Sequence, residues 1–148
     1  MSSGPASSLP QALLVAMDFS PSARRALDLA FAWCPTGEIT VLHVVDTEFA
    51  GRVASTALAS SADVVAKLRA RADEEFAWLQ QEKSGSKFAP MVVEGSPFVE
   101  IVKIASDLEV DMIAMGMHTA ASRLDTILFG STAEKVLRTS RCPVLCVP

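Results

Sequence analysis

Five short apolar runs, separated by segments with helical spacing, constrain the fold of this chain more than any other feature of its sequence. The runs show little alternation of polar and apolar residues, which is typical of parallel strands covered by helices on both faces. Strands that alternate with helices predict an α/β, doubly wound parallel sheet, and right-handed crossovers place helices on both of its sides. The predicted strands are Ala12–Met17, Glu38–Val45, Phe88–Glu94, Asp111–Gly116 and Pro143–Val147.

Capping residues predict where the helices begin. Ser20-Pro21 predicts the start of the first helix, and Gly95-Ser96-Pro97 repeats that pattern before a later one. Asp46–Ser55 is expected to be a loop, followed by one long helix from about Thr56 to Glu82. The last helix is predicted from Ser131 to about Thr139.

The size of the chain, 148 residues, fits one domain. Residues 1–10 are small, polar and uncharged and do not resemble a secretory signal, so we expect a flexible leader before a single domain over residues 11–148. No apolar run approaches the roughly 20 residues of a membrane-spanning helix.

Three cysteines, an odd number, argue against a disulfide scaffold, and the sequence predicts a cytoplasmic protein. Cys142 and Cys146 are expected along one strand, too far apart to bridge.

Charge and motif content exclude several functions. The formal net charge is −4, and basic residues occur in scattered pairs such as Arg24-Arg25, so nucleic-acid binding is not expected. The sequence has no G-x-G-x-x-G after the first strand, no P-loop and no nucleophile elbow. Its 2 histidines and 3 cysteines have no metal-site spacing, so we predict no metal ligands and no catalytic residues.

Gly116–Thr132, after the fourth predicted strand, is the strongest candidate for binding an anion. A glycine at a strand end lets backbone amides approach a ligand, and the next helix N-terminus favours a phosphate. Ser131–Glu134 also fits a capping box, in which the Ser131 hydroxyl bonds the amide of Glu134. The cap and a phosphate contact are compatible.

Ligands of such sheets bind beyond the carboxyl ends of the strands, and four polar residues in or near those ends are candidates. Asp18 could accept hydrogen bonds from ribose hydroxyls, although a helix dipole alone also favours an acid there. His43 lies in an apolar strand and is expected to be a satisfied core histidine rather than a ligand. His118 and Arg123 lie in the glycine-bearing loop, where each could meet a phosphate or stay solvated.

Six stretches in order together resemble the universal stress protein family, from about Gln11 to Pro148. Each stretch alone is a weak signal, but the order and spacing of all six are specific. They are Leu14–Ser20 (LVAMDFS), Val41–Asp46 (VLHVVD), Glu94–Pro97 (EGSP), Asp111–Gly116 (DMIAMG), Gly130–Leu137 (GSTAEKVL) and Cys142–Val147 (CPVLCV).

The resemblance implies a Rossmann-like five-stranded sheet in the order 3-2-1-4-5 and homodimers that pair through the last strand. For one branch of the family it implies binding of ATP or a related adenine nucleotide (ADP, AMP or cyclic AMP), with Mg²⁺ as an optional companion, through a G-x2-G-x9-G-[ST] motif. Carried over by position, with Thr119 and Arg123 added from the loop, the nucleotide-binding residues are Ala16, Met17, Asp18, Val44, Met115, Gly116, Thr119, Arg123, Gly130, Ser131 and Thr132. The dimer-interface residues are Val144, Leu145, Cys146 and Val147.

The chain departs from that motif in two ways. Thr119 stands where the second glycine belongs, and ten residues rather than nine separate it from Gly130. The leading expectation is a non-catalytic, nucleotide-binding stress regulator or sensor that acts as a homodimer. The alternative is an interaction protein with a vestigial pocket. Slow ATP hydrolysis is a third reading, for which Asp46 and Asp125 are the nearest candidate bases.

Overall fold

A five-stranded parallel sheet in the order β3-β2-β1-β4-β5 organises the computed structural model, which describes residues 9–118 and 130–148. The strands are β1 (Ala12–Ala16), β2 (Glu38–Asp46), β3 (Ala89–Gly95), β4 (Met112–Gly116) and β5 (Val144–Val147). β1 lies at the centre, paired in parallel with β2 on one side and β4 on the other. The predicted α/β class, doubly wound sheet and strand order are therefore confirmed.

Within the described residues, five helices pack on the two faces of the sheet. They are α1 (Pro21–Trp33), α2 (Thr47–Ala57), α3 (Ser61–Glu82), α4 (Pro97–Asp107) and α5 (Ser131–Thr139). α1 and α3 contribute to the buried cluster on one face, whereas α4 and α5 contribute to the cluster on the other. No helix in the described part of the chain is long and apolar enough to cross a membrane.

The packing of β1 explains why polar and apolar residues do not alternate in its sequence. Leu13 and Val15 belong to the cluster under α1 and α3, whereas Leu14 and Ala16 belong to the cluster under α4 and α5. All four side chains are buried. Burying a leucine or valine side chain contributes about 1.5–3 kcal/mol, so both faces of this strand stabilise the domain.

The expected loop at Asp46–Ser55 is wrong, because that segment is mostly the helix α2. A carboxylate oxygen of Asp46 accepts hydrogen bonds from the amides of Glu48 (3.0 Å) and Phe49 (3.1 Å) and so caps the helix. The helix stays in place because Ala50 and Ala54 are buried. The sequence analysis took Asp46 as the first residue of a loop and missed its role as an N-cap.

The long helix predicted from Thr56 begins later, at Ser61. Leu58 ends α2 in the left-handed conformation, with φ 55°, and the chain then restarts at the N-cap Ser60. The Ser60 hydroxyl accepts a hydrogen bond from the amide of Asp63 at 3.1 Å. A left-handed leucine is costly, and no pattern in the sequence marks it.

All three cysteines are free thiols. Cys142 precedes β5 instead of lying within it as expected, because the strand starts at Val144. Burial raises the pKa of the Cys34 thiol and of the Cys146 thiol. Both therefore carry less thiolate at neutral pH than an exposed cysteine, which lowers their reactivity.

Candidate functional site

A cleft opens at the carboxyl ends of β1 and β4, where the strand order reverses. It holds about 480 Å³ of empty space, including the part open to solvent. Its walls come from the ends of both strands, from the start of α5, and from single residues of α1, β2 and α4. The described lining residues are Ala16, Met17, Asp18, Ala23, Leu42, Ile101, Met115, Gly116, Met117, His118, Gly130, Thr132 and Ala133.

The turn after β1 is fixed by side-chain hydrogen bonds. A carboxylate oxygen of Asp18 accepts a hydrogen bond from the amide of Ser20 at 3.0 Å. The Ser20 hydroxyl in turn accepts one from the amide of Ala23 at 3.3 Å, which makes Ser20 the N-cap of α1 as predicted. The turn therefore places the exposed Asp18 at the edge of the cleft.

Phe19 adopts an unusual backbone conformation beside Asp18. Its φ is 64°, in the left-handed region that costs a non-glycine residue about 1–2 kcal/mol. Its ring lies 5.1 Å from the rings of both His43 and Phe76, centroid to centroid. Aromatic packing of this kind offsets the backbone strain.

His43 stabilises the end of β1. Its Nδ1 lies 2.7 Å from the carbonyl oxygen of Met17. Because a carbonyl accepts hydrogen bonds, Nδ1 carries the proton and donates it. The expectation of a histidine satisfied within the fold agrees with this bond, although the residue is half-buried rather than fully buried.

Backbone hydrogen bonds of Met117, just after β4, connect it to the end of β5 and to the start of α5. The Met117 amide donates to the Val147 carbonyl at 2.7 Å, and the Gly130 amide donates to the Met117 carbonyl at 2.6 Å. Gly116 lies against α1 so closely that a β-carbon there would be 2.2 Å from Ser22 Oγ and 2.8 Å from the Ala23 nitrogen. These contacts leave room for glycine alone at position 116 without a shift of α1.

The predicted capping box at Ser131–Glu134 is wrong. Gly130 is the N-cap of α5 and makes no side-chain cap bond, and Ser131 is already the first helical residue. The Glu134 amide donates to the Gly130 carbonyl at 3.1 Å, and the Glu134 carboxylate pairs with Arg138 at 3.0 Å. A helix cannot satisfy the amides of its own first turn, and within residues 9–118 and 130–148 those of Ser131, Thr132 and Ala133 have no backbone partner. Thr132 and Ala133 line the cleft.

The structure brings most of the predicted nucleotide-binding residues together around this cleft. Seven line it: Ala16, Met17, Asp18, Met115, Gly116, Gly130 and Thr132. Val44 is half-buried against the cluster under α4 and α5, and Ser131 is exposed; neither lines the cleft. Thr119, Arg123 and Asp125 lie outside the described residues, as do residues 1–8 of the predicted leader.

Sequence reasoning missed the apolar wall of the cleft. Leu42, Ile101 and Ala133 line it, and all three are also members of the buried cluster under α4 and α5. Leu42 is aligned with Ala16 in the sheet, a register that the sequence does not encode locally. In the sequence these positions are indistinguishable from ordinary core residues.

The electrostatics of the cleft come from the backbone and one carboxylate. Among the described lining residues there is no lysine or arginine, and Asp18 is the one acid. The positive end of the α5 dipole and its amides therefore supply the attraction for an anion. Among the described residues no group of three His, Cys, Asp or Glu side chains could hold a metal ion.

Comparisons with known proteins agree with this arrangement. The model of the universal stress protein family matches residues 11–148. The universal stress protein MJ0577 of Methanocaldococcus jannaschii is 34% identical over 151 residues, with 91% of this chain and 93% of the relative covered. The solved structure of MJ0577 superposes with a TM-score of 0.79 at 33% identity, covering 93% of this chain and 94% of the other.

Two more distant solved structures share the fold. UspA from Lactobacillus plantarum has a TM-score of 0.80 at 21% identity and covers 96% of this chain and 100% of its own. A universal stress protein from Archaeoglobus fulgidus, solved in complex with dAMP, has a TM-score of 0.63 at 22% identity and covers 93% of this chain and 98% of its own. From the family match over residues 11–148 and the relation to MJ0577, this chain belongs to the universal stress protein family.

Proposed function

We propose that this chain is a non-catalytic regulator or sensor that binds an adenine nucleotide, ATP or its relatives ADP, AMP and cyclic AMP, in the cleft between β1, β4 and α5. One observation carries the proposal: the uncapped N-terminus of α5 and the carboxylate of Asp18 border the same cleft, at the point where the strand order reverses. That is where open α/β sheets bind ligands. The dAMP complex of the Archaeoglobus fulgidus relative adds support from the same fold.

The cleft offers suitable chemistry for each part of a nucleotide. The apolar wall of Leu42, Ile101 and Ala133 suits a purine base, because small-molecule sites are mostly apolar with a few polar groups. Asp18 would accept hydrogen bonds from the ribose hydroxyls. The amides at the start of α5 would hold phosphate oxygens, and Thr132 could add its hydroxyl.

An accompanying Mg²⁺ would depend mainly on the nucleotide. Asp18 is the one carboxylate among the described lining residues, and in this proposal it serves the ribose. Mg²⁺ commonly keeps several waters and binds through the phosphates of the substrate. The protein residues described here would therefore hold the nucleotide rather than the ion.

Binding without hydrolysis is the version of the function that the geometry favours. Asp46, one candidate base, caps α2 and borders a neighbouring groove with Phe49 and Arg71 instead of the nucleotide cleft. Asp125, the other candidate, lies outside the described residues. A general base must reach the attacking water, and Asp46 is not placed to do so.

A thermal-shift titration of the purified protein tests the binding proposal. ATP at a hundred times its dissociation constant would stabilise the fold by about 2.7 kcal/mol. Absence of a shift with millimolar ATP, ADP, AMP and cyclic AMP would contradict it. Chromatography of the supernatant after denaturation provides a second test, since a tightly held nucleotide co-purifies.

We also propose that the protein forms a homodimer through β5. This strand lies at the sheet edge, paired on one side with β4, and Val144, Leu145 and Cys146 are only half-buried. An apolar edge strand invites pairing with a second copy. Light scattering at micromolar concentration should give twice the mass of the chain; a monomer would refute the dimer.

A Gly130→Asp variant separates nucleotide binding from an interaction role with a vestigial pocket. The added carboxylate at the N-cap of α5 would repel phosphate, while β5 and its proposed dimer contact remain unchanged. Loss of the nucleotide-induced thermal shift with an intact dimer is the expected result. If the variant keeps all protein partners and cellular phenotype of the wild type, the interaction role is favoured.

A further inference from the structure

The hydroxyl of Ser22 makes a partly buried hydrogen bond that links α1 to the proposed nucleotide cleft. Ser22 is the second residue of α1 and is 3% exposed. Its hydroxyl donates a hydrogen bond to the carbonyl of His118 at 2.9 Å. His118 lines the cleft and is the last described residue before Gly130.

The His118 carbonyl needs this partner because it has left the sheet. The last backbone bonds at this end of β4 are made by Met117, whose amide and carbonyl both have partners. A carbonyl left without a hydrogen bond costs about 1–3 kcal/mol when it is buried, and the His118 carbonyl is partly buried. The Ser20 hydroxyl accepts the Ala23 amide and also donates to the His118 carbonyl, but at 3.4 Å, so the 2.9 Å bond from Ser22 is the shorter of the two.

The fit between Ser22 and the strand end is tight. A β-carbon on Gly116 would lie 2.2 Å from the Ser22 hydroxyl oxygen. The hydroxyl therefore occupies the space between α1 and the end of β4. The carbonyl of Met117, the residue before His118, accepts the Gly130 amide and so helps to position the start of α5.

We propose that Ser22 is a positioning residue for nucleotide binding: through the His118 carbonyl it fixes the backbone after β4 relative to the N-terminus of α5. The inference rests on the proposed nucleotide function. Ser22 does not line the cleft among the described residues, so it acts through the backbone rather than by touching the ligand. Loss of the hydroxyl would let the backbone at Met117 and His118 move and misalign the phosphate-binding amides of α5.

The test compares Ser22→Ala with Ser22→Thr and with Ser140→Ala. The Ser140 hydroxyl donates to the Cys142 carbonyl at 2.8 Å, a bond of the same kind away from the cleft. ADP and ATP affinities, measured by isothermal titration calorimetry, should fall about five- to tenfold in Ser22→Ala, since one hydrogen bond contributes about 1 kcal/mol. Ser22→Thr keeps the donor and should stay within about twofold of the wild type, as should Ser140→Ala.

Hydrogen exchange of the ligand-free proteins gives a readout that does not depend on nucleotide. The Gly130 amide should exchange faster in Ser22→Ala than in the wild type or in Ser140→Ala, because its acceptor, the Met117 carbonyl, is no longer held. If Ser22→Ala does not fold, Ser22→Cys, a weaker donor of similar size, takes its place.

The outcomes separate the two proposals. If the wild type binds no nucleotide, the proposed function fails, and unchanged exchange at Gly130 would then overturn the positioning role as well. If the wild type binds but Ser22→Ala binds equally well, the positioning role alone is overturned. A loss as large in Ser22→Thr or in Ser140→Ala would also overturn it, because the effect would then come from packing or general stability.

Discussion

The N-termini of α1 and α5 border the same cleft but are built differently. At α1, the side chains of Asp18 and Ser20 bond backbone amides, and Ser20 and Ser22 are buried. At α5, the N-cap is Gly130, which has no side chain to cap the helix, and Ser131 is exposed. Side chains cap the first terminus, whereas among the described residues none caps the second, and we propose that its amides bind the nucleotide phosphates.

This difference shows that a helix start can serve structure or binding according to what satisfies its first amides. Both segments carry serine near the helix start, so composition does not distinguish them. The distinction arises from where the helix begins relative to that serine: Ser20 stands outside α1, whereas Ser131 is inside α5.

The largest effect is expected for Gly116→Ala, which forces α1 away from the end of β4. The new β-carbon would meet Ser22 Oγ and the Ala23 nitrogen, and overpacking should lower the free energy of unfolding by about 2–3 kcal/mol. Gly51→Ala is the matched control, because Gly51 lies in α2 with nothing within 4 Å of the added carbon. It should stabilise by about 0.5–1 kcal/mol. Urea unfolding measures both, and equal effects would contradict the close contact.

A smaller effect separates the two helix-start serines. Ser20→Ala removes the N-cap of α1 and should cost about 1–2 kcal/mol in thermal or urea unfolding. Ser131→Ala should change stability by less than about 0.5 kcal/mol, because its hydroxyl caps nothing among the described residues. Similar losses of stability in the two variants would indicate that Ser131 caps α5, as the predicted capping box requires.

Ser131→Asp should act in opposite directions on stability and on nucleotide affinity. A carboxylate in the first turn of α5 interacts favourably with the helix dipole and should stabilise the ligand-free protein by about 0.3–1 kcal/mol. The same charge should repel a phosphate and weaken ATP binding. Ser131→Asn, similar in size and neutral, is the control. An unchanged ATP affinity in Ser131→Asp would show that the phosphates lie elsewhere.

The smallest stability change is expected for Asp18→Asn. The amide oxygen of asparagine can still accept the Ser20 amide, so the free energy of unfolding should fall by no more than about 0.5 kcal/mol. Affinity for adenosine nucleotides should fall by about fivefold, since a charged acceptor forms stronger hydrogen bonds with ribose hydroxyls. A matching measurement with 2′,3′-dideoxy-ATP should show no such difference, and a difference there would remove Asp18 from the ribose site.

The fold was largely predictable because its signals are local and redundant. The apolar run of β1 and the Ser20-Pro21 helix start both survive in the structure. α2 was not predicted because its stability depends on burying two alanines, Ala50 and Ala54, which carry little signal by themselves. The break at Leu58 was missed for a related reason: its left-handed conformation follows from how α2 and α3 pack.

The residues of the candidate site that follow a strand or precede a helix were predictable from the order of the chain. The residues that reach the cleft from other elements were not. Asp18, Gly116 and Gly130 follow strand ends or precede a helix, and the parallel topology brings them to one cleft. The wall formed by Leu42 and Ile101 comes from other elements, and their positions follow from register and packing.

By itself the sequence determined the doubly wound sheet and the edge at which its polar strand ends meet, because apolar periodicity and glycine positions act over a few residues. The tertiary structure decided which helix start has a side-chain cap, that of α1, and which has none among the described residues, that of α5. The pairing of the Gly130 amide with Met117 places Gly130 outside α5 and Ser131 inside it. The burial of Ser22 against Gly116 gives the His118 carbonyl its partner. Both are contacts between residues distant in the chain, and their geometry exists only once the sheet and its helices have packed.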